Sequence, residues 1–526
     1  MDGTIDTLPD DIEALKAMVL AERCSRRLAE TVASENVERA DRNEERADRL
    51  ERLLEELRWA LYGRRSEKLS ADQLELAFED IETAIAALEA ESDDAAPARP
   101  AIRRRRTNRG SLPKHLPRIE VVVEPEEAVC GCGHALHRIG EDVSERLDIV
   151  PARLQVIVTR RPKYACRACE GGVIQAPVPA RLIEGGLPTE ATVAQVLVSK
   201  YADHLPLYRQ AQIYARAGAR LDRSTLAHWV GRAAFELRPI FEHLVATMKG
   251  STKLFMDETP APVLDPGRGR TKTGYLWALA RDDRPWGGSD PPAVAYFYAE
   301  GRGGEHGERF LAGFSGILQV DGYAGYKRLT ARGRPGGAVT LAYCWAHARR
   351  KLYEIARADG SAIAKEGLQR IAALYAIEAE IRGLAAEERL ASRERRSKPL
   401  VGDFTQWLRA ARARVSGKSR LGEALRYIDN HWDGLRVFLR DGRVELDSNA
   451  VERSIRPIAL NRKNALFAGH DEGGRNWGVI ASLVETAKLN DVDPQAYLTK
   501  TLERLVDAHP MSRIDELMPW NFRPKD

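Results

Sequence analysis

Residues 253–259 read KLFMDET, an apolar run of strand-forming residues that leads into two acidic residues. Two further runs, GYLWALARDD at 274–283 and AVAYFYAE at 293–300, share this apolar and aromatic character and are separated by turn-rich loops. Short runs of β-branched and aromatic residues bounded by Gly, Pro and Asp are typical of strands. The sequence therefore predicts three consecutive β-strands in the middle of the chain.

The next segments continue this pattern with a helix and two more strands. GERFLAGF at 307–314 is predicted as a short helix, GILQVDGYAGY at 316–326 and VTLAYCW at 339–345 as strands, and AHARRKLYEIARA at 346–358 as a helix. Three strands, a helix, a strand, another strand and further helices is the element order of a ribonuclease-H-like fold. We therefore predict a multidomain α+β protein with a ribonuclease-H-like mixed α/β core.

Two aspartates occupy related places in this core. Asp257 follows the first apolar run, and Asp321 ends the fourth predicted strand. Either residue alone could be a strand-to-loop cap. Together they indicate phosphoryl transfer, because a two-metal site needs carboxylates from separate elements that converge on ions about 4 Å apart. Two carboxylates leave such a site incomplete.

The segment DSNAVERSIRP at 447–457 offers a third carboxylate, Glu452. It follows a charged, helical stretch at about 357–435 that we interpret as a helical insertion. Two interpretations compete for Glu452: it is a metal ligand, or it is the N3 partner of an N-cap Asn449 in a capping box. Glu452 and Arg456 are spaced i, i+4 and share a helix face, and further basic residues follow: Arg453, Arg462 and Lys463.

Four of the six cysteines form two close pairs. Cys130 and Cys132 are a C-x-C pair, and Cys166 and Cys169 a C-x2-C pair, with β-rich sequence between them. In a reducing compartment such pairs favour metal ligation over disulfides. We predict a structural, tetrahedral Zn²⁺ site made by the four thiolates. His134 could replace one thiol of the irregular first pair, and the alternative is that the cysteines are unligated core residues.

Two segments are candidates for contact with DNA. Residues 189–235 have the pattern of two helices around a break near Gly218, with Asp222 or Ser224 as a cap, which is helix-turn-helix spacing. The start of the second helix would then meet bases or phosphates, through Arg223, Ser224 and Thr225. A basic linker contributes phosphate contacts through Arg103, Arg104, Arg105 and Arg106. The alternatives are an ordinary helical hairpin and a solubilising hinge.

Residues 10–62 carry a heptad pattern in which apolar residues occupy most a and d positions. This predicts a coiled-coil arm that joins protomers into a homo-oligomer, against a single helix packed on its own chain. No apolar run approaches the roughly 18 residues that cross a membrane, and the acidic start MDGTIDTLPDD is unlike a secretory signal. We therefore expect a cytoplasmic protein without a membrane partner. The net charge of +4 says little about partners.

The motifs KLFMDETPAPVLDPGRGRTKTGYLWALARDDRPW, LQVDGYAGY, YCWAHARRKLYE and NAVERSIRPIALNRKNALFAG closely resemble the DDE transposases of the bacterial insertion sequence 66 family. The resemblance extends over essentially the whole chain. It implies the catalytic triad Asp257, Asp321 and Glu452, with two Mg²⁺ ions that Mn²⁺ can replace. It also implies that Cys344 and His347, a C-x2-H element of some transposases, support the active site; alternatively they are a packing cysteine and a helix histidine.

The resemblance implies an enzyme that cuts the strand at each transposon end and drives the freed 3′-hydroxyl into target DNA. Its partners would be terminal inverted repeats, target DNA and accessory transposition proteins, in the nucleoid-associated cytoplasm. The domain boundaries that we predict are a coiled-coil arm at 1–95, a basic linker at 96–118, a zinc module at 119–182, a helix-turn-helix-like domain at 183–248, a catalytic core at 249–470 and a helical tail at 471–526. Two alternative functions are a zinc-dependent DNA-binding regulator with a non-catalytic core, and a ribonuclease-H-type nuclease without strand transfer.

Overall fold

The computed structural model describes Arg23, Arg26, Leu112 and residues 117–125, 136–150, 153–167, 172–265, 270–465 and 468–523. The predicted coiled-coil seam and most of the basic linker lie outside these residues, as do seven of the predicted site residues: Arg103, Arg104, Arg105, Arg106, Cys130, Cys132 and Cys169. Arg23 and Arg26 are helical and exposed. From Leu112 onwards the described residues belong to one compact unit.

A small sheet precedes the helical part of the chain. Strands β2 (His137–Val150) and β3 (Arg153–Ala165) form a long antiparallel hairpin. Strand β1 (Arg118–Val122) pairs parallel with β3, and the short β4 (Ile174–Gln175) pairs antiparallel with it. Cys166 directly follows β3 and is buried, so the hairpin carries the start of the C-x2-C pair.

Three helices follow this sheet: α1 (Glu190–Tyr201), α2 (Leu207–Arg216) and α3 (Arg223–Lys249). Gly218, with a φ of 91°, lies in the turn between α2 and α3, as the sequence pattern predicts. Helix α3 begins at Arg223, so Asp222 holds the N-cap position, although its side chain makes no capping hydrogen bond. Ser224 is inside the helix and is not its cap.

The central sheet has five strands in the order β7-β6-β5-β8-β9. They are β5 (Lys253–Asp265), β6 (Arg270–Arg281), β7 (Ala293–Ala299), β8 (Gly316–Val320) and β9 (Val339–Tyr343). Strands β5, β6 and β7 are antiparallel neighbours, whereas β8 runs parallel to both β5 and β9. The five predicted strands are thus present, and helix α4 (Gly304–Phe310) begins three residues before the predicted GERFLAGF segment.

Strand β5 is longer than the sequence predicts, and this changes the place of Asp257. The strand continues through Pro260 and Pro262 to Asp265, so Asp257 lies within it and does not follow it. The prolines are tolerated because β5 pairs with β8 only from Lys253 to Phe255. Farther along that side Ala468 bonds to the carbonyl of Pro262 and the N–H of Leu264, so no proline N–H is needed. Asp257 therefore stands where the β8 side of β5 becomes open.

Between β9 and Asn449 the chain is helical, which agrees with the predicted insertion. The helices are α5 (Trp345–Asp359), α6 (Ala362–Ile381), α7 (Ala386–Ser392), α8 (Lys398–Arg414), α9 (Arg420–Asn430) and α10 (Trp432–Leu435), with a π-helical turn at Arg393–Ser397. They enclose a hydrophobic core of their own, in which Trp345, Phe404 and Trp432 make ring contacts.

The last three helices are α11 (Asn449–Ala465), α12 (Asp471–Leu489) and α13 (Pro494–Val506). Helix α12 is almost entirely buried, and its Ser482 and Thr486 accept hydrogen bonds from the backbone of β7 at 2.8 and 3.1 Å. The C-terminal helices therefore belong to the core of the sheet. None of the helices in the described part of the chain is long and apolar enough to cross a membrane.

Candidate active site

The parallel register of β5 and β8 brings Asp257 and Asp321 to the same level of the sheet. Leu254 pairs with Leu318 and Phe255 with Gln319. Asp257 is two residues beyond Phe255, and Asp321 is two residues beyond Gln319, directly after the end of β8. Because side chains alternate along a strand, the two carboxylates project to the same face of this edge.

The pKa of Asp257 is shifted by its burial and by neighbouring carboxylates. Burial, followed by the negative charges of Asp321 and Glu258, raises the pKa of Asp257 to about 7. The charge of Glu452 makes a smaller contribution in the same direction, and the backbone N–H of Glu258 donates to Asp257 Oδ1 at 2.8 Å, which opposes it. Like charges in a partly dry site disfavour ionisation of the aspartate.

The loop of Asp321 is held from two sides. Its Oδ1 accepts a hydrogen bond from the backbone N–H of Tyr323 at 2.8 Å, and its backbone carbonyl accepts one from the Tyr427 hydroxyl of α9 at 2.7 Å. Gly322 has a φ of 104°, and a Cβ there would lie 2.8 Å from that hydroxyl and 3.0 Å from the His431 ring. The close approach of the insertion therefore requires glycine after Asp321.

Glu452 comes from the first turn of α11. The capping interpretation of Asn449 is wrong, because the helix begins at Asn449 and the first backbone bonds, from Val451 and Glu452, go to the carbonyl of Ser448. The Ser448 hydroxyl donates to Glu452 Oε1 at 3.2 Å. The Glu452 side chain is 41% exposed and does not act as the N3 residue of an Asn449 capping box.

Cys344 and His347 lie beside Glu452. Cys344 precedes the first residue of α5, and its Sγ accepts the backbone N–H of Ser448 at 3.3 Å. The backbone N–H of Trp345 donates to the carbonyl of Leu446 at 2.8 Å. The start of α5 is thus bonded to the segment that leads into α11. One side-chain ligand atom from each of Cys344, His347 and Glu452 lies within 4.8 Å of the other two.

The basic residues of α11 divide between two directions. Arg453, Arg456 and Lys463 are exposed. At 100° per residue, Arg456 and Lys463 fall on the face of Glu452, four and eleven residues along. Arg453 is turned away from that face, and its guanidinium is 4.0 Å from Asp282. Arg462 donates to the carbonyl of Pro260 at 2.6 Å and so ties α11 to β5.

The predicted helix-turn-helix residues lie in the first turn of α3, where Ser224 is exposed and Arg223 and Thr225 are half-buried. Of the predicted zinc ligands, Cys166 alone belongs to the described residues, and the position of the full set relative to the catalytic candidates is not defined by them.

The sequence patterns did not predict a role for two buried polar residues near the candidate triad. Glu258 accepts hydrogen bonds from Arg302 at 2.6 Å and from the Tyr326 hydroxyl at 2.5 Å, and burial raises its pKa. Gln319 is 1% exposed within β8. A polar residue inside the apolar run GILQV could have indicated the role of Gln319. The role of Glu258 could not be predicted in this way, because its contacts come from distant parts of the chain.

The donor set fits a hard divalent cation. Carboxylate oxygens are the ligands that Mg²⁺ prefers. Burial, and then the neighbouring negative charges that a bound cation would neutralise, raise the pKa of Asp257. Asp257 and Asp321 are brought together by the strand register. Glu452, on a separate helix, adds negative charge to Asp257 but lies within 4.8 Å of Cys344 and His347 and not in one ligand group with the two aspartates.

Comparison with known proteins yields matches over most of the chain. Residues 185–476 match the model of the Transposase IS66 family, and residues 482–520 match the IS66 C-terminal element. Residues 127–170 match the zinc-finger binding domain of transposase IS66, and residues 49–121 match a model described as Transposase C of IS166 homeodomain.

Curated relatives occur in Sinorhizobium fredii (strain NBRC 101917 / NGR234). The uncharacterized protein y4qI is 45% identical over 98% of this chain and 98% of its own length. The uncharacterized proteins y4jD and y4hP are 47% and 38% identical, each over 89% of this chain and over 93% and 88% of their own lengths.

Proposed function

Because the chain belongs to the IS66 family of transposases, we propose that it binds the ends of an insertion sequence and catalyses metal-dependent strand cleavage and strand transfer into target DNA. The observation that carries this proposal is the level placement of Asp257 and Asp321 on β5 and β8, with Glu452 from α11 contributing to the same electrostatic site. These three residues are the proposed catalytic carboxylates.

The sheet order supports a ribonuclease-H-like core. Three antiparallel strands, β7, β6 and β5, are followed by the parallel pair β8 and β9, and β5 lies at the centre. This arrangement puts the strand of the first carboxylate beside the strand of the second. The helical insertion then returns the chain to α11, which carries the third.

Two Mg²⁺ ions, or Mn²⁺ in their place, would activate the attacking oxygen and stabilise the leaving oxygen of an in-line displacement. The chain supplies the oxygen ligands through Asp257, Asp321 and Glu452. Tyr427 and the backbone of Tyr323 hold the Asp321 loop. Arg456 and Lys463, on the face of Glu452, bind the phosphates that flank the scissile bond, and Arg453 extends this basic surface.

The remaining parts of the chain hold the DNA and assemble the complex. The zinc module, with Zn²⁺ on Cys130, Cys132, Cys166 and Cys169, and the helix-turn-helix-like segment with Arg223, Ser224 and Thr225 bind the terminal inverted repeats. The basic linker contacts phosphates, and the coiled-coil arm pairs protomers. Accessory proteins join this assembly in the nucleoid-associated cytoplasm. The family matches to zinc-finger and homeodomain models support a DNA-binding N-terminal half.

A strand-transfer assay tests the proposal. The full-length protein is incubated with Mg²⁺, a plasmid target and a duplex that ends in a pre-cut 3′-hydroxyl of the inverted repeat. We expect covalent joining by the wild type and none by Asp321→Asn, with DNA-end binding retained. Asp433→Asn is the matched control, since the Asp433 side chain is 94% exposed. Cleavage without joining would favour a plain nuclease, and full joining by Asp321→Asn would refute the triad.

A further inference from the structure

The carboxylate of Glu452 lies at the edge of a second group of potential ligands. Cys344 and His347 are spaced i, i+3 at the start of α5, and their side-chain atoms lie within 4.8 Å of one another and of a Glu452 oxygen. Asp257 and Asp321 are not part of this group. Glu452 therefore shares a ligand group with a sulfur and a nitrogen atom, while its charge also acts on Asp257.

The imidazole of His347 supplies a second observation, independent of the spacing. His347 Nδ1 is shielded from solvent and has no hydrogen-bond partner among the described residues. It faces Glu452 Oε1 at 3.9 Å, which is too long for a hydrogen bond. Buried polar atoms are nearly always paired. A cation held by the imidazole nitrogen, the Cys344 sulfur and the Glu452 oxygen would satisfy this atom.

We propose that Cys344, His347 and Glu452 form a site for a thiophilic divalent cation of the Zn²⁺ class. Thiolate, imidazole and carboxylate are the ligands of Zn²⁺, and three protein ligands leave a fourth position open to water. Mg²⁺ binds oxygen ligands and disfavours this set. Binding forms the sulfur–metal bond and releases the thiol proton of Cys344 to solvent.

The site competes with the catalytic one for a single carboxylate. Zn²⁺ bound at Glu452 takes up a carboxylate oxygen and neutralises charge there, so its occupancy weakens the third ligand of the site at Asp257 and Asp321. Zn²⁺ is then an inhibitor whose effect falls as Mg²⁺ rises. This inhibition rests on the proposed catalytic function of Glu452, whereas the binding itself does not.

Binding is tested with Co²⁺, whose bond to a thiolate gives a charge-transfer absorption. Full-length protein, with its structural zinc in place, is titrated with Co²⁺ in the absence of DNA. We expect one added equivalent with this absorption in the wild type and its loss in Cys344→Ser. Cys24→Ser, the same change at a cysteine outside the C-x-C and C-x2-C pairs, should keep it.

Two further variants make the result decisive. His347→Gln should also lose the added equivalent, and it serves if Cys344→Ser does not fold. Asp257→Asn should keep the equivalent and its absorption. The proposal is overturned if the wild type shows no thiolate absorption, if the absorption survives in both Cys344→Ser and His347→Gln, or if Asp257→Asn alone removes it.

An activity measurement separates this site from the proposed function. At fixed Mg²⁺, Zn²⁺ should lower DNA cleavage by the wild type by a larger fraction than in Cys344→Ser, with each protein compared with its own zinc-free rate. If the protein binds the thiolate-linked ion but shows no strand transfer, the proposed function is refuted and the proposed metal site stands. If it shows strand transfer but does not bind the added ion, the metal site is refuted and the proposed function stands.

Discussion

The side-chain amide of Gln319 exchanges two hydrogen bonds with the backbone of Glu445. Gln319 Nε2 donates to the carbonyl oxygen of Glu445 at 2.9 Å, and the backbone N–H of Glu445 donates to Gln319 Oε1 at 2.9 Å. Gln319 lies on β8 just before Asp321, and Glu445 lies in the segment that leads to Glu452. This exchange fixes the elements of two proposed ligands to each other.

Replacing Gln319 by leucine should weaken both the fold and the proposed chemistry. The change leaves the N–H and carbonyl of Glu445 without their partner in a buried place, which costs about 1–3 kcal/mol of unfolding free energy. Denaturant unfolding measures this loss, and strand cleavage by the folded variant should fall because Glu452 is no longer held in register with Asp321.

Gln406→Leu is the matched control for this change. Gln406 is exposed on α8, so the same substitution should alter the free energy of unfolding by no more than about 0.5 kcal/mol. Equal stability of the two variants would mean that the exchange with Glu445 does not contribute to the fold.

The helical insertion should depend on Arg393. Its fully buried guanidinium donates to Glu378 at 2.6 and 2.7 Å and to the carbonyl of Val444 at 2.8 Å, directly before Glu445. Arg393→Met leaves Arg389 as the remaining ion-pair partner of the buried Glu378 and removes the donor of the Val444 carbonyl, and we expect a loss of about 3–5 kcal/mol of unfolding free energy in denaturant titrations.

Arg396→Met provides the comparison. Arg396 lies in the same π-helical turn and pairs with Glu380 at 2.6 Å, but both side chains of this pair are exposed. An exposed pair contributes only about 0–1 kcal/mol. A loss as large in Arg396→Met as in Arg393→Met would show that the buried network is not the reason.

The stability of the protein without added Mg²⁺ should depend on pH through Asp257. The folded state raises the pKa of this carboxyl from 3.8 to about 7, so between these values the folded state binds the proton and the unfolded state does not. Stability therefore falls as pH rises from about 4 to about 7, and it is lower on the alkaline side.

Asp257→Asn should remove this fall. At pH 8 the variant should be more stable than the wild type by up to about 4 kcal/mol, since each unit of pKa shift corresponds to about 1.4 kcal/mol, whereas the two should be alike near pH 4. Mg²⁺ should stabilise the wild type and not the variant. An equal difference between the two proteins at both pH values would contradict the raised pKa of Asp257 in the folded state.

Arg456 should contribute to DNA affinity in a way that salt reveals. Because a phosphate contact releases counterions, Arg456→Ala should weaken binding to all sequences and reduce the slope of log affinity against log salt by about 1. Fluorescence anisotropy with end and non-end duplexes measures this. An unchanged slope, or a loss confined to end sequences, would argue against a phosphate contact.

Periodicity predicted the strands and helices of the core because burial on both faces leaves long apolar runs in β6, β7 and β8. It failed at the end of β5, where Pro260 and Pro262 indicate a loop. The strand continues there because it keeps its pairing with β6, and on its other side Ala468 bonds to the carbonyl of Pro262 and the N–H of Leu264, which requires no proline N–H. The sequence pattern predicts that both aspartates follow or end a strand, but Asp257 lies within β5.

Local sequence patterns could not predict the residues that support the candidate site and the helical insertion. Gln319 bonds to Glu445, Glu258 to Arg302, and Arg393 to Val444. In each pair the two residues are 44 or more positions apart in the sequence. The same holds for the start of α11, where the spacing of Asn449 and Glu452 suggested a capping box. The actual first turn is set by Ser448, which the start of α5 holds in place through Cys344.

The most direct test of the central claim is the Glu452→Gln variant, measured for strand cleavage and transfer beside its thermal unfolding and DNA-end binding. Glutamine keeps the size and hydrogen-bonding capacity of the side chain but lacks the charge that a hard cation requires. We predict a folded, DNA-binding protein that neither cuts nor joins strands. A folded Glu452→Gln protein with wild-type cleavage and transfer would contradict the assignment of Glu452 as the third catalytic carboxylate.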